Sequence, residues 1–164
     1  GSGFIKSLDF TKGASVNFEP ASTFMGDNED YLDVIKALKG ICPAAIPDYI
    51  RMIFMDTITA NPDRHTNNFG LLRDTKTGKI IGFAPNYDNN MALIARGYPS
   101  NPKASDIMIS LFKEVIGEYP EYEKYIPVLT VETVRKILEK INMKVRTQVI
   151  IDLVMNRYNL IYKH

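Results

Sequence analysis

Asn61-Pro62-Asp63-Arg64-His65-Thr66-Asn67-Asn68-Phe69-Gly70 and, further on, Pro85-Asn86-Tyr87-Asp88 are the stretches whose residue types and order could do chemistry. An Asp with an Asn five places later, then two strands around a turn, then a second Asp, makes the acidic half of a phosphoryl-transfer site. Such a transfer needs a base, or an orienter, for the attacking hydroxyl. It also needs hard oxygen ligands for Mg²⁺, which neutralises charge on the β- and γ-phosphates of ATP. Asp63 suits the first role. The amide oxygen of Asn68 and the carboxylate of Asp88 suit the second. Asn67 is a rival ligand, and the five-residue offset from Asp63 favours Asn68.

Taken singly, each residue has a plainer use. Asp63 could cap its own loop, Asn67 and Asn68 could be turn residues, and Asp88 could cap the segment after it. The joint order is what points to nucleotide and metal. His65 is a second candidate catalytic residue. As an imidazolium it could assist the transferring phosphate, or its ring nitrogens could bond loop groups and hold Asp63 in place, which is the role favoured here. Arg64 is a candidate contact for the nucleotide phosphates and can equally pair with a nearby carboxylate. Zinc is not expected, because the other histidine is the terminal His164.

Asp63-Arg64-His65, Asn68-Phe69-Gly70 and then Ala84-Pro85-Asn86-Tyr87-Asp88 closely resemble the C-terminal lobe of HipA-like serine/threonine kinases. The Asp63–Asn68 core is also similar to the loop of phosphatidylinositol kinases. The resemblance runs from Asp56 to Leu93. It implies transfer of the ATP γ-phosphate to Ser or Thr of a protein substrate, with Asn68 and Asp88 holding Mg²⁺. Members of that family often carry Lys immediately before the metal-binding Asn, where this chain has Asn67. Asn89 follows the second Asp, so the Phe-based switch of Asp-Phe-Gly kinases is not implied. A lipid-kinase activity is the enzymatic alternative. A catalytically silent interaction domain is the other.

The elements around these residues follow from periodicity. Residues 4–26 show isolated aromatics without a helical period, and read as an extended arm with a short strand at Ser15–Phe18. Residues 27–164 read as the helical lobe, and Gly1-Ser2-Gly3 as a vector remnant. Asp27 or Asn28 can cap a helix to Lys39, with Tyr31, Val34, Ile35 and Leu38 as its stripe and Gly40 closing it. A second helix, apolar enough to be central, starts near Pro47, reaches Thr59 and is ended by Pro62. Strands at Phe69–Arg73 and Lys79–Phe83 flank the turn Asp74–Gly78. Antiparallel pairing brings Asn68 and the Pro85–Asp88 turn to neighbouring ends. Ile94–Lys103 is a loop in the place of an activation segment. Helices are expected over Ser105–Glu118, Glu121–Tyr125, Val131–Ile141 and Lys144–Tyr162. The fold class is mainly α with one small β-hairpin, a kinase-like C-terminal lobe.

Composition sets outer limits. With 164 residues and 45% hydrophobic content, one domain with a real core is expected. Formal charge is +1, which excludes a global polyanion-binding signal. Residues 130–164 carry seven Lys/Arg against three Asp/Glu, net +4, which reads as a solvated helix face; nucleic acid is not an expected partner. Cys42 is single, so it forms no internal disulfide and reads as a buried, inert thiol. No apolar run approaches the ~18 residues of a spanning helix, and a cytoplasmic setting without membrane contact is the expectation. The sequence holds no G-x-G-x-x-G loop and no Lys in a Val-Ala-Ile-Lys-like strand. In the family it resembles, those parts belong to an N-terminal lobe. That lobe is expected in cis or from a partner chain, or has been lost.

Overall fold

The computed structural model of the protein describes residues 11, 13–89, 91–95, 97, 106–140 and 146–162. Strand β1 (Val16–Pro20) comes first, then the short helix α1 (Ser22–Met25) and helix α2 (Tyr31–Ile41). A 3₁₀ turn at Pro43–Ala45 leads into α3 (Ile46–Thr59), followed by strands β2 (Gly70–Asp74) and β3 (Ile80–Phe83). Helix α4 (Ile107–Glu118), a 3₁₀ segment at Pro120–Tyr125, α5 (Val131–Lys140) and α6 (Thr147–Tyr162) complete the described chain.

The start of α2 shows how local chemistry moves a boundary. Asn28 Oδ1 accepts from the Asp30 N–H at 3.0 Å, a turn of its own that keeps residues 28–30 out of the helix. Asp30 is therefore the cap, in the extended region, and accepts from the Asp33 N–H. The expected cap at Asp27 or Asn28 is thus corrected to Asp30. The helix also runs past Gly40 to Ile41 and stops at Cys42, before Pro43. Its inward stripe is as expected, with Val34, Ile35 and Leu38 buried.

Helix α3 carries Pro47 in its first turn and buries Tyr49, Ile50, Ile53, Phe54 and Ile58. Burial on nearly every side makes it the central helix, packed on α6 and α4. Rings of three helices meet where Phe54 lies 5.7 Å from Phe112 and 6.2 Å from Tyr158. The helix ends at Ala60, in the left-handed region at φ 54°, whose N–H returns to the Asp56 and Thr57 carbonyls. Pro62 therefore lies beyond an end already made, which corrects the expectation that it stops the helix.

The sheet is antiparallel in the order β1-β2-β3, with Phe18 opposite Leu72 and Leu71 opposite Phe83. The expected hairpin is present and gains β1 as a third strand. At the far side of the core Arg157 of α6 is buried. It forks onto the Asp106 carboxylate at 2.6 and 3.0 Å and donates to the Thr57 carbonyl. One guanidinium so ties α6 to the start of α4 and the end of α3. Phe4, Phe10 and most of the expected loop at 94–103 lie outside the described residues.

Candidate active site

Helix α3 delivers the chain into the loop with Asp56 in its last turns, and that carboxylate is 1% exposed. A buried carboxylate is costly unless paired. Asn61 Nδ2 donates to Asp56 Oδ1 at 2.8 Å. Arg64 donates Nε to Oδ2 at 2.7 Å and Nη2 to Oδ1 at 2.9 Å, a bidentate pair with both side chains out of water. The remaining Arg64 hydrogens go to the Asn68 carbonyl at 3.1 Å, the Tyr87 carbonyl at 2.7 Å and Asn89 Oδ1 at 2.7 Å. A guanidinium has five N–H donors, and these bonds use them all. Of the two roles open to Arg64, the structure holds the carboxylate pair and leaves no hydrogen for a phosphate.

Asp63 is exposed at the tip of the loop, and Asn68 is buried behind it. Asn68 Nδ2 donates to the Asp63 carbonyl at 2.9 Å, which orients the amide and leaves Oδ1 as its acceptor atom. The Asn68 N–H donates to the His65 carbonyl, and His65 Nδ1 accepts from the Asn67 N–H at 3.3 Å. His65 therefore bonds within its own loop. The rival ligand Asn67 is engaged elsewhere, its Oδ1 accepting from Ser22 Oγ at 2.7 Å. Asp88 is half-buried and holds a left-handed backbone at φ 55°. The backbones of Asn68 and Tyr87 share one Arg64 nitrogen, so Asn68 and Asp88 belong to adjoining strands of loop.

The N-terminal segment supports the loop from below. Ala21 N–H donates to the Phe69 carbonyl at 2.9 Å, Ser22 N–H to the Thr66 carbonyl at 3.1 Å, and Thr66 Oγ1 to the Gly26 carbonyl at 2.7 Å. Phe18 of β1 sets its ring edge-on to Tyr87, whose hydroxyl donates to the Asn67 carbonyl at 2.7 Å. Gly70 permits this closeness. A Cβ there would lie 2.1 Å from the Glu19 carbonyl oxygen and 2.8 Å from Pro20 Cα. None of Ser22, Gly26, Asp56 or Tyr87 carries a signal in the sequence that names its partner. Gly70 does sit inside the motif, two places after Asn68.

Electrostatics agree with this packing. Burial raises the Tyr87 hydroxyl pKa, the Arg64 charge opposes that, and the Asp88 carboxylate adds to it. Burial first, and the Asp56 charge second, push Tyr31 up to about 12 beside the same network. Among the described residues no three His, Cys, Asp or Glu side chains converge on one point. The donor set of amide and carboxylate oxygens fits Mg²⁺, a hard cation that keeps waters and phosphate oxygens in its shell. A cleft of about 340 Å³ flanks the second loop, lined by Phe83, Ala84 and Pro85 and by Arg51, Met52 and Met55 of α3.

The sequence matches no protein-family model and no curated protein. In three dimensions the chain is similar to the crystal structure of the Helicobacter pylori proinflammatory kinase CtkA, with a TM-score of 0.56 at 15% sequence identity. The match covers 93% of this chain and 69% of that one. The fold is thus that of a helical, kinase-like lobe with a small antiparallel sheet.

Proposed function

We propose that this chain is the catalytic lobe of a HipA-like serine/threonine kinase that transfers the γ-phosphate of ATP to a protein hydroxyl. One observation supports the reading: Arg64 donates from a single nitrogen to the carbonyls of Asn68 and Tyr87, which joins the backbone of one candidate ligand to the residue before the other. The likeness to a kinase fold supports it. Mg²⁺, when bound with ATP, neutralises charge on the β- and γ-phosphates. Asn68 Oδ1 and an Asp88 carboxylate oxygen are the groups that would hold it. Asp63, exposed in front of them, would accept the proton of the substrate hydroxyl as that oxygen bonds to the γ-phosphorus and the bond to the ADP oxygen breaks. His65 would keep the loop in shape through its bond to the Asn67 N–H.

The loop is also similar to that of lipid kinases, so substrate class is the point to test. The full gene product, together with any partner that supplies an N-terminal lobe, is incubated with labelled ATP, Mg²⁺ and a panel of proteins and phosphoinositides. Label on Ser or Thr of protein is expected. Label on a lipid and on no protein would replace the protein-kinase reading with the lipid one. Label on neither, with a native start near Phe4 and no partner gene, would favour a silent interaction domain.

A further inference from the structure

We propose that Arg64 is a positioning residue of the metal site, locking the loop that carries Asn68 to the loop that carries Asp88, with Asp56 as its anchor. The inference rests on the phosphoryl-transfer reading and adds to it the device that assembles the ligands. Arg64 has no hydrogen left for substrate, since its five donors end on Asp56, Asn68, Tyr87 and Asn89. Those acceptors are not scattered. The Tyr87 carbonyl and the Asn89 side chain lie immediately before and after Asp88, so one guanidinium grips Asp88 from both sides. The same Nη1 that holds Tyr87 also holds the backbone of Asn68. Asp88 sits at φ 55°, a left-handed backbone that is uncommon outside glycine, least so for Asp and Asn, and is favoured where the surroundings impose it. The Arg64 grip on residues 87 and 89 is such an imposition.

The chemistry of the side chain matters as much as its charge. The planar fork reaches several acceptors in fixed directions, whereas a lysine offers one compact ammonium. Arg64→Lys keeps the charge opposite Asp56 and loses the fork. It should therefore separate positioning from bulk stability.

The test uses the chain itself and Mn²⁺ alone as a paramagnetic probe, read by amide NMR. In the parent chain, Mn²⁺ should broaden the Asn68 and Asp88 amides together. In Arg64→Lys the Mn²⁺ concentration for half-broadening should rise about 10- to 100-fold, the range for loss of an outer-shell partner, while distant amides keep their positions. Parent-like broadening in Arg64→Lys would overturn the inference and leave the metal site standing. Absence of selective broadening in the parent would overturn the metal site and the inference with it. Should Arg64→Lys fail to fold, the guanidinium ¹⁵N signals of parent Arg64 decide. They should move at the same Mg²⁺ concentrations as the Asn68 and Asp88 amides. If they stay still while those amides move, Arg64 does not position the ligands.

Discussion

Asp63 and Asn68 are five residues apart and in opposite surroundings: Asp63 lies in solvent, while Asn68 is 6% exposed. Asp63→Ala should therefore leave the melting temperature almost unchanged, as surface substitutions mostly cost no more than about 0.5 kcal/mol. In the complete enzyme it should abolish transfer. Turnover within about tenfold of the parent, or ~1.4 kcal/mol of barrier, would remove the base assignment. Asn68→Ala and Asp88→Ala should weaken metal-dependent nucleotide binding, measured by titrating Mg²⁺ at fixed nucleotide. Asn68→Ala should also lose about 0.5–1.5 kcal/mol of stability, because its bond to the Asp63 carbonyl goes with it. At this scale Asp63, Asn68 and Asp88 stand out as candidates by their order along the chain alone. The use made of Arg64 was not. Its acceptors stand 4, 8, 23 and 25 residues away, and no local spacing selects among them.

At the scale of elements, the apolar stripes named their helices and the turn at Asp74–Gly78 named its hairpin, since both depend on residues near in sequence. Boundaries moved where side chains competed, as at Asn28 and Asp30. The extent of β1 was only partly legible, because its partner β2 lies more than fifty residues on, with Asn17 opposite Arg73. The join between α4 and α6 was not legible for the same reason, Arg157 and Asp106 being 51 residues apart. That join gives a pH dependence. Burial acts to raise the Asp106 carboxyl, but the hydrogen bonds and charge of Arg157 and the N–H groups of Ile109 and Met108 outweigh it and hold it below the ordinary value. A depressed carboxyl adds stability that is complete above its unfolded pKa of about 3.9. That stability is lost as pH falls through the folded value. The gap in melting temperature between parent and Asp106→Asn should hold from neutral pH down to about 5 and narrow below about 4. Solvent reaches Asp106, whose side chain is 42% exposed, so the pH-dependent part is at most about 1 kcal/mol. An equal gap on both sides of that window would dissociate Asp106 from the acid response.

Over the whole molecule, one continuous core runs from Val34 of α2 through α3 and α4 to Ile161 of α6. No helix among the described residues is long and apolar enough to cross a membrane. Cooperative unfolding of the chain by itself is expected from that core. Nucleotide binding is a separate matter. The sequence carries no G-x-G-x-x-G loop, and no strand among the described residues carries a lysine. Two candidate ligand side chains around an otherwise unanchored ATP would leave most of the cost of association uncompensated. Calorimetric titration with ATP and Mg²⁺ should therefore give affinity far weaker than micromolar beside a single sharp melt. Micromolar affinity would show that this lobe anchors the phosphates by means of its own, and a broad melt would contradict an independent core.

Gly70 takes no part in any of this chemistry, yet position 70 has room for no other residue. Any side chain there would drive Glu19 and Pro20 away, and with them the backbone of Ala21 and Ser22 that holds Thr66 and Phe69. Glycine two places after Asn68 is thus a requirement of the packing between β1 and β2 in this chain. A larger residue at position 70 would require the backbone of Glu19 and Pro20 to move away from β2. The acidic residues carry the proposed chemistry, and the glycine marks the close packing that supports their loop.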